Sequence, residues 1–263
     1  MNLLHAIFLG LIQGLTEFLP VSSSGHLAIA QHFLPGFDQP GVLFDVMLHL
    51  GTMLAVILYF RREVENLLTS PFRQGEDARL YRRLLTLLLA GSVPTAIIGL
   101  TFKDFFESLF ENIPLVAVML LVTGTLLFIS EKFRRGRRKE GELNLVDALL
   151  VGTVQGCAII PGISRSGSTI AALLLRGVDG ETAARFSFLL ALPAVFGAAL
   201  LSLRHLQDIP AGEIPLYLAG TGVAFAAGML SIHCLLAVIR RRRLFAFAVY
   251  CWLAGTVVFA ITF

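Results

Sequence analysis

Long apolar runs, interrupted by short polar tips and basic loops, set the pattern of this chain. Six runs read as membrane-spanning helices: 42–60, 84–100, 113–129, 186–203, 214–239 and 244–263. Each approaches the roughly 17–25 residues that cross about 30 Å of hydrocarbon. Two stretches fit less well. Residues 3–18 are helical by pattern but carry Gln13 and Glu17 and stop at Pro20; a short piece, 26–34, follows and is stopped by Pro35 and Gly36. Neither piece crosses a bilayer as an ordinary helix, so together they predict a re-entrant hairpin. Its irregular tip survives at depth only when buried in protein or facing a wet cavity. Phe102, Phe105, Phe106, Leu109 and Phe110 recur at helical spacing between two of the runs, as in a helix lying in the interface.

Composition agrees with this reading: 56% of the 263 residues are hydrophobic and 15% charged. The net charge is only +3, and its distribution is what informs. Arg61, Arg62, Arg73, Arg79, Arg82 and Arg83 flank one connection. Lys132, Arg134, Arg135, Arg137, Arg138 and Lys139 fill a second, and Arg240–Arg243 a third. By the positive-inside rule these loops are expected in the cytoplasm. Residues 1–41 then enter and leave from the outer face, residues 146–185 from the inner face, and both termini lie outside. The loop 204–213, with Pro210 and Gly212, is expected outside. No basic stripe with interleaved aromatics occurs elsewhere, so nucleic acid is not an expected partner. Cys157, Cys234 and Cys251 lack ligand spacing and read as small hydrophobes. The start of the chain has no basic n-region, and a cleaved signal peptide is not expected.

An internal repeat gives the same architecture independently. QGLTEFLPVSSSG from Gln13 resembles QGCAIIPGISRSG from Gln155, an offset of 142 residues. Ser22, Ser24 and Gly25 map onto Ser164, Ser166 and Gly167, with a one-residue slip at Pro20 and Pro161. The predicted fold is therefore an all-α polytopic membrane protein in a single membrane domain. It is an inverted repeat of about 1–131 and 143–263, joined by the basic loop 132–142, with two re-entrant hairpins and about six full spans. Such folds place their site near the midplane, where broken helices meet.

The two tips carry the chemistry. Ionisable groups at membrane depth cost on the order of 2.5–3.5 kcal/mol each on insertion scales, so a cluster of them marks a functional site. Gln13 and Glu17 are four apart on one helical face, and Gly10 and Gly14 permit close helix approach. Glu17 can hold a hard cation such as Mg²⁺ or Ca²⁺ or, protonated, act as an acid. Ser23 and His26 pair a hydroxyl with a base, while one or more of Ser22, Ser23 and Ser24 are expected to cap a helix. Arg165 suits bidentate phosphate recognition, with an ion pair to Glu17 as the alternative. Behind it Ser166-Gly167-Ser168 opens a helix whose N–H groups would face the same anion. Asp45 and His49 either tune the site or snorkel; Arg176, Arg185 and Arg204 read as snorkelling near the interfaces.

On the motifs QGLTEFLPVSSSGH and PGISRSGST the sequence resembles the undecaprenyl-diphosphatase, or bacitracin-resistance, family of membrane phosphatases. The resemblance implies removal of one phosphate from undecaprenyl diphosphate, recycling the carrier lipid of cell-wall synthesis in the bacterial plasma membrane. It implies a divalent cation and a site facing the outer leaflet. The family carries Glu or Gln at the position of Gln13, here the amide, and Glu at Glu17. Ser23, His26 and Arg165 match the family's functional positions, and Ser164, Ser166 and Thr169 its phosphate-side motif. The expected site is therefore Glu17, Ser23, His26 and Arg165 as catalytic groups, with Glu17 also the metal ligand. Gln13, Ser22, Ser24, Gly25, Ser164, Ser166, Gly167 and Thr169 are expected to bind phosphate. Expected partners are the bilayer, the polyprenyl diphosphate and a second copy in a homodimer. A secondary transporter or lipid flippase is the rival class, because inverted repeats with broken helices are also transporter architecture.

Overall fold

The computed structural model describes residues 1–35, 42–134, 136–202 and 211–263. Gly36, Arg135, Arg204 and Pro210 of the sequence reading lie outside the described residues. The described residues form twelve α-helices: α1 (Leu3–Phe18), α2 (Ser23–Phe33), α3 (Val42–Tyr59), α4 (Arg61–Thr69), α5 (Glu76–Thr101), α6 (Lys103–Leu109), α7 (Ile113–Phe133), α8 (Leu145–Cys157), α9 (Arg165–Leu175), α10 (Gly180–Ser202), α11 (Ile214–Arg240) and α12 (Phe245–Thr262). Among them α5, α7, α10, α11 and α12 are long and apolar enough to cross a bilayer, and the pair α3–α4 makes a sixth candidate. The fold is that of an all-α polytopic membrane protein.

The α3–α4 pair bends by 81°, a feature the hydropathy pattern does not show. The turn falls where the apolar run meets Arg61 and Arg62, so α4 leaves the apolar layer as an amphipathic helix with Leu67 buried. Helix α5 begins eight residues before the predicted start at Leu84. Glu76 and Asp77 in its first turn complement the positive end of the helix dipole and extend it through Arg79 and Arg82. In α6 only Phe106 of the predicted aromatic face is buried; Phe102, Phe105 and Phe110 remain exposed.

The repeat offset recurs in the contacts. Asn2 caps α1 by accepting from the His5 N–H, and Asn144 caps α8 by accepting from the Asp147 N–H. Helix α1 packs on α11, and α8 packs on α5, so each half lends its first helix to the other half. Both crossings are glycine-made. A Cβ on Gly10 would lie 2.4 Å from the Gly220 carbonyl oxygen, and one on Gly152 only 1.9 Å from that of Gly91. Gly152→Ala is therefore expected to push α8 off α5 and cost roughly 1–3 kcal/mol, the range for overpacking a tight contact. Gly222→Ala, where a Cβ meets nothing within 4 Å, serves as the neutral control in thermal unfolding in detergent.

Helix α7 acts as a ruler across the bundle: its 21 residues span about 31 Å at 1.5 Å per residue. Its first residues, Ile113 and Pro114, share a cleft with His32 and Phe33 at the end of α2. Beyond its last turn, Arg138 pairs through its backbone with Gly177 and Asp179, just after α9. The two hairpins thus open at opposite ends of α7. Their tips meet beside its middle, where the Thr123 hydroxyl donates to the Gly162 carbonyl at 2.9 Å and accepts from the Ser164 N–H at 3.0 Å.

The basic loop is pinned rather than loose. Asp147, fully buried, accepts from Arg138 at 2.5 and 3.2 Å and from Arg176 at 2.9 Å. Arg185 pairs with Glu140 and Glu181. The snorkelling expected of Arg176 and Arg185 is therefore replaced by ion pairs that staple this end of the bundle. The three cysteines are free, Cys251 buried and Cys157 and Cys234 exposed.

Candidate active site

Both tips are built alike. Ser22 caps α2 by accepting from the Gly25 N–H at 3.2 Å, and Ser164 caps α9 by accepting from the Gly167 N–H at 3.0 Å. Ser22 and Ser24 hydroxyls lie 3.3 Å apart, as do those of Ser164 and Ser166. Ser22 adopts φ 71°, left-handed backbone that a non-glycine residue rarely takes, which turns the chain sharply out of α1. The tips then touch. The Ser22 hydroxyl donates to the Ile163 carbonyl at 3.3 Å, and that of Ser166 to the Leu19 carbonyl at 3.5 Å. A Cβ on Gly25 would lie 2.9 Å from the Cα of Gly162.

At this junction Glu17, with a side chain 3% exposed, forms an ion pair with Arg165 through Oε1. Its Oε2 accepts from the Ser23 hydroxyl at 2.6 Å and from Gln13 Nε2 at 2.9 Å. His49 Nδ1 stands 2.8 Å from Gln13 Nε2 and 3.3 Å from Glu17 Oε2. One carboxylate therefore faces one guanidinium and the N-terminal ends of α2 and α9. Each helix end carries roughly half a positive charge. The junction is net electropositive, the field an anion requires.

Ser23, expected to pair with His26 as its base, instead points its hydroxyl at Glu17. His26 Nδ1 lies 2.8 Å from the Ser22 carbonyl, which accepts only, so Nδ1 carries the proton in the neutral ring. Its Nε2 then accepts from the Tyr250 hydroxyl at 2.7 Å. The structure brings Glu17, Arg165, Ser23, Gln13 and the serine caps together, with His26 three residues along α2 from Ser23. Thr169 does not join them: its hydroxyl donates to the Arg165 carbonyl at 2.8 Å and sits 2.5 Å from that of Ser187, tying α9 to α10. Of the pair weighed on α3, His49 enters the cluster, whereas Asp45 accepts from Gln31 at 2.7 Å.

Sequence reasoning missed Thr52, 3.5 Å from Gln13 Nε2, and Tyr250. Thr52 falls one helical turn beyond His49, a spacing that could have flagged it; Tyr250 comes from the far end of the chain and carries no local signal.

Two broken-helix hairpins meeting mid-bundle around a Glu–Arg ion pair and a serine–histidine turn define a polytopic membrane protein with a charged cluster at the centre of its helix bundle. The chain matches the family model described as bacitracin resistance protein BacA over residues 6–257, and it belongs to that family. Relatives named undecaprenyl-diphosphatase include one from Syntrophotalea carbinolica, 64% identical over the full length of both chains. Those from Desulforapulum autotrophicum and Halothermothrix orenii are 43% and 45% identical, each pairing 98% of this chain with 97% of the relative.

Proposed function

We propose that the protein hydrolyses undecaprenyl diphosphate to undecaprenyl phosphate and inorganic phosphate. The observation that carries this is the Glu17–Arg165 pair at the joined tips: a guanidinium and two helix N-termini converge on a point that a serine hydroxyl also reaches. The family and the full-length relatives supply the lipid substrate.

In this reading the diphosphate takes Arg165 from Glu17. The guanidinium and the tip amides then hold the terminal phosphate and offset the charge that develops in phosphoryl transfer. Ser23 attacks the terminal phosphorus and passes its proton to Glu17 Oε2, its hydrogen-bond partner; undecaprenyl phosphate leaves with the bridging oxygen. His26, with Nε2 unprotonated, then takes a proton from the water that attacks the seryl phosphate. The serine oxygen leaves with the proton that Glu17 returns, inorganic phosphate departs, and His26 gives up the proton of the water to bulk solvent.

The divalent cation implied by the resemblance has a partial fit. Glu17 and the Oε1 of Gln13, which is buried with no hydrogen-bond partner, offer the oxygen donors that Mg²⁺ and Ca²⁺ prefer. Among the described residues no group of three or more His, Cys, Asp or Glu side chains could hold a metal. A cation here would need diphosphate oxygens to complete its shell, and would supply charge neutralisation on the phosphates.

Loop charge supports an orientation. Glu63, Glu140, Glu181, Arg185 and Arg240 interlock at one end of the bundle, together with the basic connections. We assign that end to the cytoplasm of a bacterial plasma membrane by loop charge, so the α1–α2 hairpin enters from the outer leaflet. Purified protein in detergent is expected to release phosphate from a polyprenyl diphosphate without any gradient. Chelation should lower the rate, and added Mg²⁺ or Ca²⁺ should restore it. Release that needs a membrane gradient would favour the transporter reading.

A further inference from the structure

The phenol of Tyr250 links His26 to α12, a helix outside the two hairpins. Its hydroxyl lies 2.7 Å from Nε2, and the two rings are nearly parallel, 13° apart with centroids separated by 5.6 Å. Tyr250 is 45% exposed on α12, yet α12 is firmly set against the core. Its Cys251 is fully buried, with the thiol 3.7 Å from the Pro20 carbonyl at the first tip. Gly255 approaches α7 so closely that a Cβ would lie 2.7 Å from the Ala117 carbonyl oxygen. The phenol therefore stands on a fixed helix beside the tip whose ring it meets.

Both nitrogens of His26 are thus matched with opposite polarity. A carbonyl, able only to accept, faces Nδ1; a hydroxyl, free to donate, faces Nε2. This is the arrangement that leaves an imidazole with its lone pair on Nε2 and its plane fixed, since the proton on one nitrogen is set by what the other nitrogen meets. The carbonyl alone leaves the ring able to swing about its Cβ–Cγ bond. The stacked phenol with its O–H closes off that motion.

We propose that Tyr250 is a positioning residue for the reaction: it holds the His26 ring in the Nδ1–H form with Nε2 ready to take a proton. Its hydroxyl meets Nε2 in this structure; when substrate is bound the attacking water takes that place, and the displaced hydroxyl hydrogen-bonds that water in turn. The phenol ring keeps the imidazole plane throughout. This inference rests on the base role given to His26 above.

The test uses the full-length protein in detergent, with Tyr250→Phe, which keeps the ring stack, and Tyr250→Leu, which removes it. Tyr250→Phe is expected to lower kcat roughly three- to tenfold, the effect of one lost hydrogen bond, with KM unchanged and thermal stability unaltered. Tyr250→Leu should lower kcat further. Histidine labelled with ¹⁵N gives a readout independent of turnover. The Nε2 resonance that vanishes in His26→Ala should move in Tyr250→Phe towards the position of an imine nitrogen without a hydrogen bond, with the Nδ1 resonance still protonated. Wild-type kcat in Tyr250→Phe, or an unmoved Nε2 resonance, would overturn the proposal. Full activity in His26→Ala would instead overturn the base role itself, so the two failures are told apart.

Discussion

Arg165→Ala is expected to lower phosphate release by about 10³-fold, at or above the upper end for removal of a single transition-state donor. The loss exceeds that of a neutral donor because a permanent charge disappears from an electropositive junction that already contains one carboxylate. Arg165→Lys should recover little, because an ammonium cannot span two phosphate oxygens in a planar fork. The same alanine variant also leaves the Glu17 carboxylate, 3% exposed, without its counter-ion. Stranding one member of a buried pair costs about 3–5 kcal/mol, so thermal stability should fall as well. The double variant Glu17→Gln/Arg165→Ala separates the two effects. It should regain most of the stability, since neither charge is then stranded, and none of the activity. Because Glu17→Gln also removes the acceptor of the Ser23 proton, the double variant reads stability alone, and the activity test is Arg165→Lys: wild-type turnover there would make Arg165 a structural charge, and its phosphate role would be lost.

His26→Ala should lower steady-state turnover by about 10²–10⁴-fold, the usual scale for a general base, and it should do so in a particular way. Because Ser23 hands its proton to Glu17, the first half of the reaction does not need the imidazole. The variant is therefore expected to release one equivalent of undecaprenyl phosphate per site and then stall with phosphate on Ser23. Intact-mass measurement of the quenched enzyme would detect that adduct, and Ser23→Ala/His26→Ala should not form it. A His26→Ala enzyme that stalls with no adduct would transfer the nucleophile role from Ser23 to a water activated by His26. Near-normal turnover in Ser23→Ala would say the same.

Much of this arrangement is readable from the chain because the cost of polarity at membrane depth is large and local. Gln13, Glu17, Ser23 and His26 stand out within fourteen residues of apolar sequence, and the recurrence of Gln13, Ser22, Ser24 and Gly25 at an offset of 142 points to a second tip. Proline and glycine mark where each hairpin turns. What the chain hides is pairing across long separations. Nothing near Asp147 tells that Arg138 and Arg176 both close on it, so one arginine that looks like loop charge and another that looks free to snorkel are staples. The α3–α4 bend escapes because a hydropathy window reads the end of an apolar run but not its direction. Ser23 illustrates a subtler limit: His26 is its neighbour on the helix, but the turn imposed by Ser22 delivers the hydroxyl to Glu17, six residues back. Tyr250 sits in an apolar helix, where an aromatic residue ordinarily faces lipid or core, and only the folded α12 brings it to His26.

The most direct measurement of the central claim is a structure of the protein with a methylene-bridged polyprenyl bisphosphonate bound. The terminal phosphonate should contact Arg165 from one hairpin and lie against Ser23 and His26 from the other, with the Glu17–Arg165 pair opened. A ligand held by one tip alone, or bound with that ion pair intact, would contradict the account.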